Sequence, residues 1–152
     1  MTAPLSAASL DQLVGQELGT SRWVRMEQGR IGAFAECTGD HQWIHVDAAR
    51  AAAESPFKTT IAHGFLTLSL ISTLMRDAIR IGGLRMAINY GLNRVRFMSP
   101  VPSGARVRGR FTAAEVEETG GAIQVTWQIT VERESAEKPC LIAQWIVRYY
   151  RA

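Results

Sequence analysis

The chain lacks several features that would fix its class at once. Its two cysteines, Cys37 and Cys140, form no CxxC pair, so a zinc ribbon and a dithiol redox motif are both excluded. Lysine is nearly missing. Lys58 and Lys138 stand alone among 17 basic residues, and the net charge of +3 is mild. A nucleic-acid partner, which calls for a concentrated basic stripe, is therefore not expected. No long hydrophobic run exists either. The longest, Ile61 to Met75, is broken by His63 and four hydroxyl residues and is shorter than a membrane span, so no membrane partner is expected. The opening residues Met-Thr-Ala-Pro carry no charged region followed by an apolar one. No three- or seven-residue period is sustained, which excludes collagen-like and coiled-coil chains. A cytoplasmic protein with reduced thiols is the expectation.

What is present suits an ordinary globular domain. At 152 residues, 47% hydrophobic and 20% charged, the chain can bury a sizeable core without a metal or disulfide. One domain over residues 1–152 is expected, with residues 1–8 frayed. Ser9 to Asp11 can open a short helical turn, and Trp23 to Met26 reads as a short strand. Ile31, Phe34 and Ala35 recur at helical spacing, so Glu27 to Cys37 reads as a helix stopped by Gly39. His41 to Val46 reads as loop or extended chain. Asp47 can cap the alanine-rich run Ala48 to Ala53. Thr59 or Thr60 can cap a helix from Ile61 to about Ile81. Its apolar residues cover nearly the whole circumference, so burial on all sides is expected.

After Gly82-Gly83 the period becomes two. Leu84, Met86, Ile88, Tyr90 and Leu92 alternate with other residues, and then the phase slips near Asn93, as a β-bulge would cause. Three more alternating runs follow, through Phe111, through Trp127 and through Trp145, with a hairpin signal at Gly120-Gly121. Helices grouped before a run of strands indicate α+β. An antiparallel sheet wrapped around a long buried central helix is the hot-dog arrangement.

All three histidines, His41, His45 and His63, fall within 23 residues, and Asp40 lies five before His45. A carboxylate and an imidazole that share one water can divide proton transfer between them, and histidine suits this because it titrates near neutrality. A metal set is also conceivable. However, His41 and His45 do not sit on a helix in this reading, and no HExxH exists, so no metal is expected.

The stretch Phe34 to Asp47, with Gly39-Asp40 and Ile44-His45, followed by Thr60-Ile61-Ala62-His63-Gly64-Phe65, resembles the MaoC-like dehydratases, the (R)-specific enoyl-CoA hydratases. Asn89 to Phe97 is similar to a subgroup near nodulation protein N. The resemblance covers roughly residues 10–150. Gln42 and Trp43 depart from the family's Asn-Pro. The resemblance implies that Asp40 and His45 form a catalytic pair that adds water to a trans-2-enoyl thioester. His45 is expected to activate the water and Asp40 to serve C2. It further implies that the Gly64 amide holds the thioester oxygen, and that Gln42 and Ser72 face the substrate. No cofactor is expected. The substrate would be an acyl-CoA or an acyl-carrier-protein thioester, and the protein a homodimer. The rival readings are a hot-dog thioesterase and a non-catalytic acyl-binding subunit. The first is weakened because no Asp or Glu occurs between Ile61 and Met75.

Overall fold

The central strands alternate so strictly that one face of a sheet must be buried, and they build the frame of the molecule. The computed structural model describes residues 4–152. In chain order its elements are β1 (Leu5–Ser6), a 3-10 helix (Ala7–Leu13), β2 (Glu17–Thr20), β3 (Val24–Arg25), α1 (Gln28–Thr38), α2 (Trp43–Val46), α3 (Ala48–Glu54), α4 (Gly64–Ser69), α5 (Ile71–Ala78), β4 (Ile81–Gly82), β5 (Leu84–Phe97), β6 (Arg106–Thr119), β7 (Ala122–Arg133) and β8 (Leu141–Arg151). The six-stranded antiparallel sheet runs β2-β6-β7-β8-β5, with β3 also on β6. It wraps α4 and α5, and this is the hot-dog fold.

The alternation sets the inner face. Val107, Phe111, Val125, Trp127, Ile129, Val131, Leu141 and Ala143 are fully buried against the helix. Each such side chain contributes roughly 1.5–3 kcal/mol of transfer free energy. The β6–β7 connection is a two-residue turn at Gly120 (φ 55°) and Gly121 (φ 85°). Both backbones are left-handed, as the twist of a tight hairpin demands. α1 buries Ile31 and Ala35 and ends at Gly39, whose φ of 79° lets its N–H reach the Ala35 carbonyl. Asp47 caps α3 through the Arg50 N–H at 2.9 Å.

The central helix is shorter than its apolar run. The backbone of residues 60–62 is spent on the loop opposite: the Ala62 N–H donates to Val101, the Ser103 N–H donates to Thr60, and Ile61 bridges Pro102. The helix therefore starts at Gly64, with His63 rather than a threonine at its N-cap. It passes through Leu70, still helical at φ −71° and ψ −17°, and stops at Ala78. Ile81 turns away to pair with Leu5 in a parallel bridge. That pairing also orders residues 5–8, expected to fray; residues 1–3 lie outside the described residues. His41 to Val46 includes one turn of helix, α2, where a loop or extended segment was expected.

Burial on all sides does not hold for the single chain. Leu66, Thr67, Ile71, Leu74 and Met75 face inward, while Phe65 is 68% exposed. β5 behaves likewise. Met86, Ile88, Tyr90 and Leu92 are exposed, and β5 forms the sheet's edge, with β8 as its one partner among the described residues. The expected phase slip is present: the register jumps between Asn93 and Arg96, and Arg94 takes a left-handed φ of 51°.

Candidate active site

The segment between α1 and α4 carries Asp40 and His45 and is held by a few specific bonds. Gln28, in the first turn of α1, clamps it twice. Its Nε2–H donates to the His45 carbonyl at 2.8 Å, and its Oε1 accepts from the Thr60 hydroxyl at 2.5 Å. The Ile61 N–H donates to the Ile44 carbonyl at 3.0 Å. These bonds bring α2 against the strand-like residues that precede α4.

Three side chains meet there. His45 Nδ1 lies 2.7 Å from the Ile61 carbonyl. A carbonyl only accepts, so Nδ1 carries the proton and Nε2 keeps a lone pair. His63 Nε2 lies 2.9 Å from the Asp40 carbonyl, which puts its proton on Nε2. The two imidazoles stack with centroids 3.8 Å apart and planes at 25°. The Asp40 carboxylate is 4.0 Å from His63 Nε2, and its side chain is 54% exposed. One donor atom from each of Asp40, His45 and His63 lies within 4.8 Å of the others. That spacing suits a shared water. It also has the donor number of a cation site. Burial pushes the His45 pKa below its ordinary value, against the Ile61 carbonyl, which favours the cation; the neighbouring His63 adds to the lowering. His45 is thus a neutral base at physiological pH.

The first turn of α4 adjoins this cluster through the chain itself, His63 being followed by Gly64. The N–H groups of Gly64 and Phe65 have no backbone partner among the described residues, whereas those of Leu66 and Thr67 bond the His63 carbonyl. Phe97 from the end of β5 packs on Gly64 so closely that a Cβ there would stand 2.9 Å from its ring. Beyond Phe65, a cavity of about 300 Å³ opens between the helix and β5, with Ser72, Asn89 and Trp145 in its wall.

The expected site residues are not all brought together. Asp40 and His45 meet, and Gly64 is adjacent. Ser72 lies two turns further along the helix, half-buried in the cavity wall. Gln42 is exposed, and only its backbone touches the pair, through an N–H 3.4 Å from Asp40 Oδ1. His41 stays outside, bonded to Glu36 at 2.8 Å, and that carboxylate raises its pKa. Elsewhere on the chain, Trp43 lies under Arg50, Phe57 is exposed, and Arg106 pairs with Glu134. The sequence reading missed Gln28 altogether and, for His63, the contacts that it makes. Gln28 was detectable in principle, since it stands three and seven residues before Ile31 and Ala35 on the buried face of α1. The place of His63 between Asp40 and His45 has no local signal.

Comparison with known proteins points one way. A model described as MaoC like domain matches residues 9–135. The chain is 50% identical over 145 residues to 3-hydroxyacyl-thioester dehydratase Z of Mycobacterium tuberculosis, covering 95% of each chain. It is 51% identical over 144 residues to nodulation protein N of Rhizobium leguminosarum bv. viciae, covering 93% of this chain and 89% of that one. Among solved structures it is similar to a MaoC-like dehydratase from Rhodospirillum rubrum, with a TM-score of 0.73 and 23% identity over 91% of this chain and 93% of the other. The fold also matches R-hydratase PhaJ1 from Pseudomonas aeruginosa, at a TM-score of 0.70 and 24% identity over 91% and 83%.

Proposed function

Since the chain belongs to the MaoC-like dehydratases, and is a hydratase or dehydratase enzyme, we propose that it adds water reversibly to trans-2-enoyl-CoA to give (R)-3-hydroxyacyl-CoA, with Asp40 and His45 as the catalytic pair. The observation that carries this reading is the state of His45. It is buried, neutral and fixed by the Ile61 carbonyl, with a free Nε2 lone pair in the same cluster as the Asp40 carboxylate.

The chemistry follows from that arrangement. Nε2 of His45 takes a proton from water as the oxygen adds to C3. Negative charge moves to the thioester oxygen, where the Gly64 amide at the positive end of the helix stabilises the enolate. The proton that His45 took passes to the Asp40 carboxylate and from there to C2, which returns both residues to their starting states. The water has then supplied both groups, and no cofactor is consumed. A thioester on acyl carrier protein presents the same reacting atoms and is the alternative carrier. Hydrolysis of the thioester is the weaker reading. Asp77, the first carboxylate on the central helix, sits at its far end and is held by Arg22 at 2.7 Å.

A homodimer is part of the proposal. β5 presents an unpaired edge of 14 residues, with Met86, Ile88, Tyr90 and Leu92 exposed beside Phe65. An edge of this kind is normally covered. Light scattering that finds a particle of 16.8 kDa, one chain's mass, would overturn the dimer.

The reaction is tested by loss of enoyl absorbance with crotonyl-CoA and a longer trans-2-enoyl-CoA, before and after treatment with a chelator, with chiral analysis of the product. Asp40→Asn and His45→Gln are each expected to fold and to lose about 10²–10⁴-fold in rate. Near wild-type rates in both folded variants would refute the pair. Silence of the folded dimer on every chain length would favour a carrier-protein substrate or a non-catalytic acyl-binding role.

A further inference from the structure

We propose that His63 is the positioning residue of the site: it fixes Asp40 through the main chain and His45 through its ring, an inference that rests on the catalytic pair proposed above. One residue touches all three parts of the site. Its Nε2–H holds the Asp40 carbonyl at 2.9 Å, its ring stacks on His45 at 3.8 Å, and its own carbonyl accepts from the Leu66 and Thr67 N–H groups in the first turn of α4. Phe34 packs against the same ring at 5.0 Å.

Space-filling does not account for this histidine. The side chain is 2% exposed, and its Nδ1 is buried with no hydrogen-bond partner among the described residues. Unpaired buried acceptors are uncommon because they forgo a bond that water would give. A phenylalanine or leucine would fill the volume without that cost. What an apolar side chain lacks is the Nε2–H at Asp40. Asp40 needs such a tether. It follows the left-handed Gly39, lies outside any helix or strand, and its own N–H reaches only the Thr38 hydroxyl at 3.4 Å. The stacked ring constrains His45 in a second way, since it holds the imidazole in the plane from which Nδ1–H reaches the Ile61 carbonyl.

The two functions separate by substitution. His63→Phe keeps a ring for His45 and loses the donor to Asp40. His63→Gln keeps a donor near the Nε2 position and loses the stack. Melting curves establish folding, crotonyl-CoA kinetics give kcat and KM separately, and nitrogen-15 spectra of the histidine rings report tautomers and titration. In the wild type, His63 is expected as the Nε2–H tautomer and His45 as the Nδ1–H tautomer. His63→Phe is expected to lower kcat by about 10²-fold, the cost of a small misplacement of a reacting group, with KM little changed. His63→Gln is expected to retain more of kcat and to raise the titration midpoint of His45, whose ring then meets water.

A wild-type His63 with its proton on Nδ1 overturns the proposal before any variant is made. So does a folded His63→Phe with wild-type kcat, or a His45 midpoint unmoved in His63→Gln. A wild-type protein inactive on every enoyl-CoA refutes the hydratase reading instead, and the ring spectra still judge His63.

Discussion

Gly64→Ala separates two demands that meet at one backbone atom. The added Cβ would stand 2.9, 3.0 and 3.1 Å from three ring carbons of Phe97, whereas carbon atoms rest at about 3.5–4.0 Å. The ring must retreat by roughly 0.5–1 Å. Phe97 is 48% exposed and has solvent behind it, so the steric cost falls near the low end of the usual ~1–3 kcal/mol for overpacking. Alanine returns part of this, up to about 1 kcal/mol, as the better helix former. The net loss of stability is expected at no more than about 1 kcal/mol, a fall in Tm of about 2–4 °C for a chain of this size. Activity responds differently. A thioester oxygen must come within ~2.7–3.1 Å of the amide it uses, and a methyl group with a displaced ring stands in its path. Loss of one such donor costs about 10²–10³-fold in kcat. The assay is hydration of crotonyl-CoA beside a thermal melt, with the double variant Gly64→Ala/Phe97→Leu included. The double variant regains the melting temperature and stays slow if approach to the amide is the cause. Wild-type kcat/KM in the single variant, or full recovery in the double, would refute the role assigned to the Gly64 amide.

Acidification offers a second test. The folded His45 pKa lies below 6.5, the unfolded reference, because burial disfavours the cation. The rising limb of kcat/KM against pH should therefore have its midpoint below 6.5, and a midpoint at or above it would contradict the buried neutral base. Stability has the same sign. As pH falls from 6.5 toward the folded pKa, the unfolded chain binds more protons than the folded one, so denaturant midpoints should fall with pH across that window. In the core, Trp127 Nε1 donates to the Tyr149 hydroxyl at 3.0 Å, and the indole is fully buried. Trp127→Phe should cost about 2–3 kcal/mol through a lost bond and a void, read as a shift in urea midpoint at constant m; less than ~1 kcal/mol would show that the bond contributes little. Burial pushes the Cys140 thiol up to about 11, whereas Cys37 is exposed. Ellman's reagent at pH 8 should find one thiol in the native protein and two after denaturation, and two native thiols would contradict the burial of Cys140.

How much could be read in advance depended on whether the cause was local. Strands β6, β7 and β8 were legible because each buries one face against the same helix, which forces Val125, Trp127 and Ile129 into strict alternation. The bulge near Asn93 was legible as a break in that rhythm. The start of the central helix was not. Ile61 and Ala62 are as apolar as the helix that follows, but their N–H groups bond Ile44 and Val101, which no local pattern announces. The alternation in β5 showed a strand and could not show that its apolar residues lie open on the single chain. Within the site, Asp40, His45 and Gly64 came from a motif. The contacts of His63 depend on how the Asp40 loop folds back over the entry to α4, which no spacing within the motif encodes.

The Gln28 clamp has a consequence for how the protein fails. The sixteen residues from His45 to Thr60 are secured by a handful of bonds, two of them from a single amide that reaches the His45 carbonyl and the Thr60 hydroxyl, while the sheet below them is secured by whole ladders. Such a segment opens with a free energy of its own, smaller than that of the global transition. Amide protons in α2 should exchange well before those of β7, and catalysis should fade on gentle heating while the far-ultraviolet spectrum is unchanged and then return on cooling. Thermal inactivation would then report the release of this segment, at temperatures where the sheet is still intact.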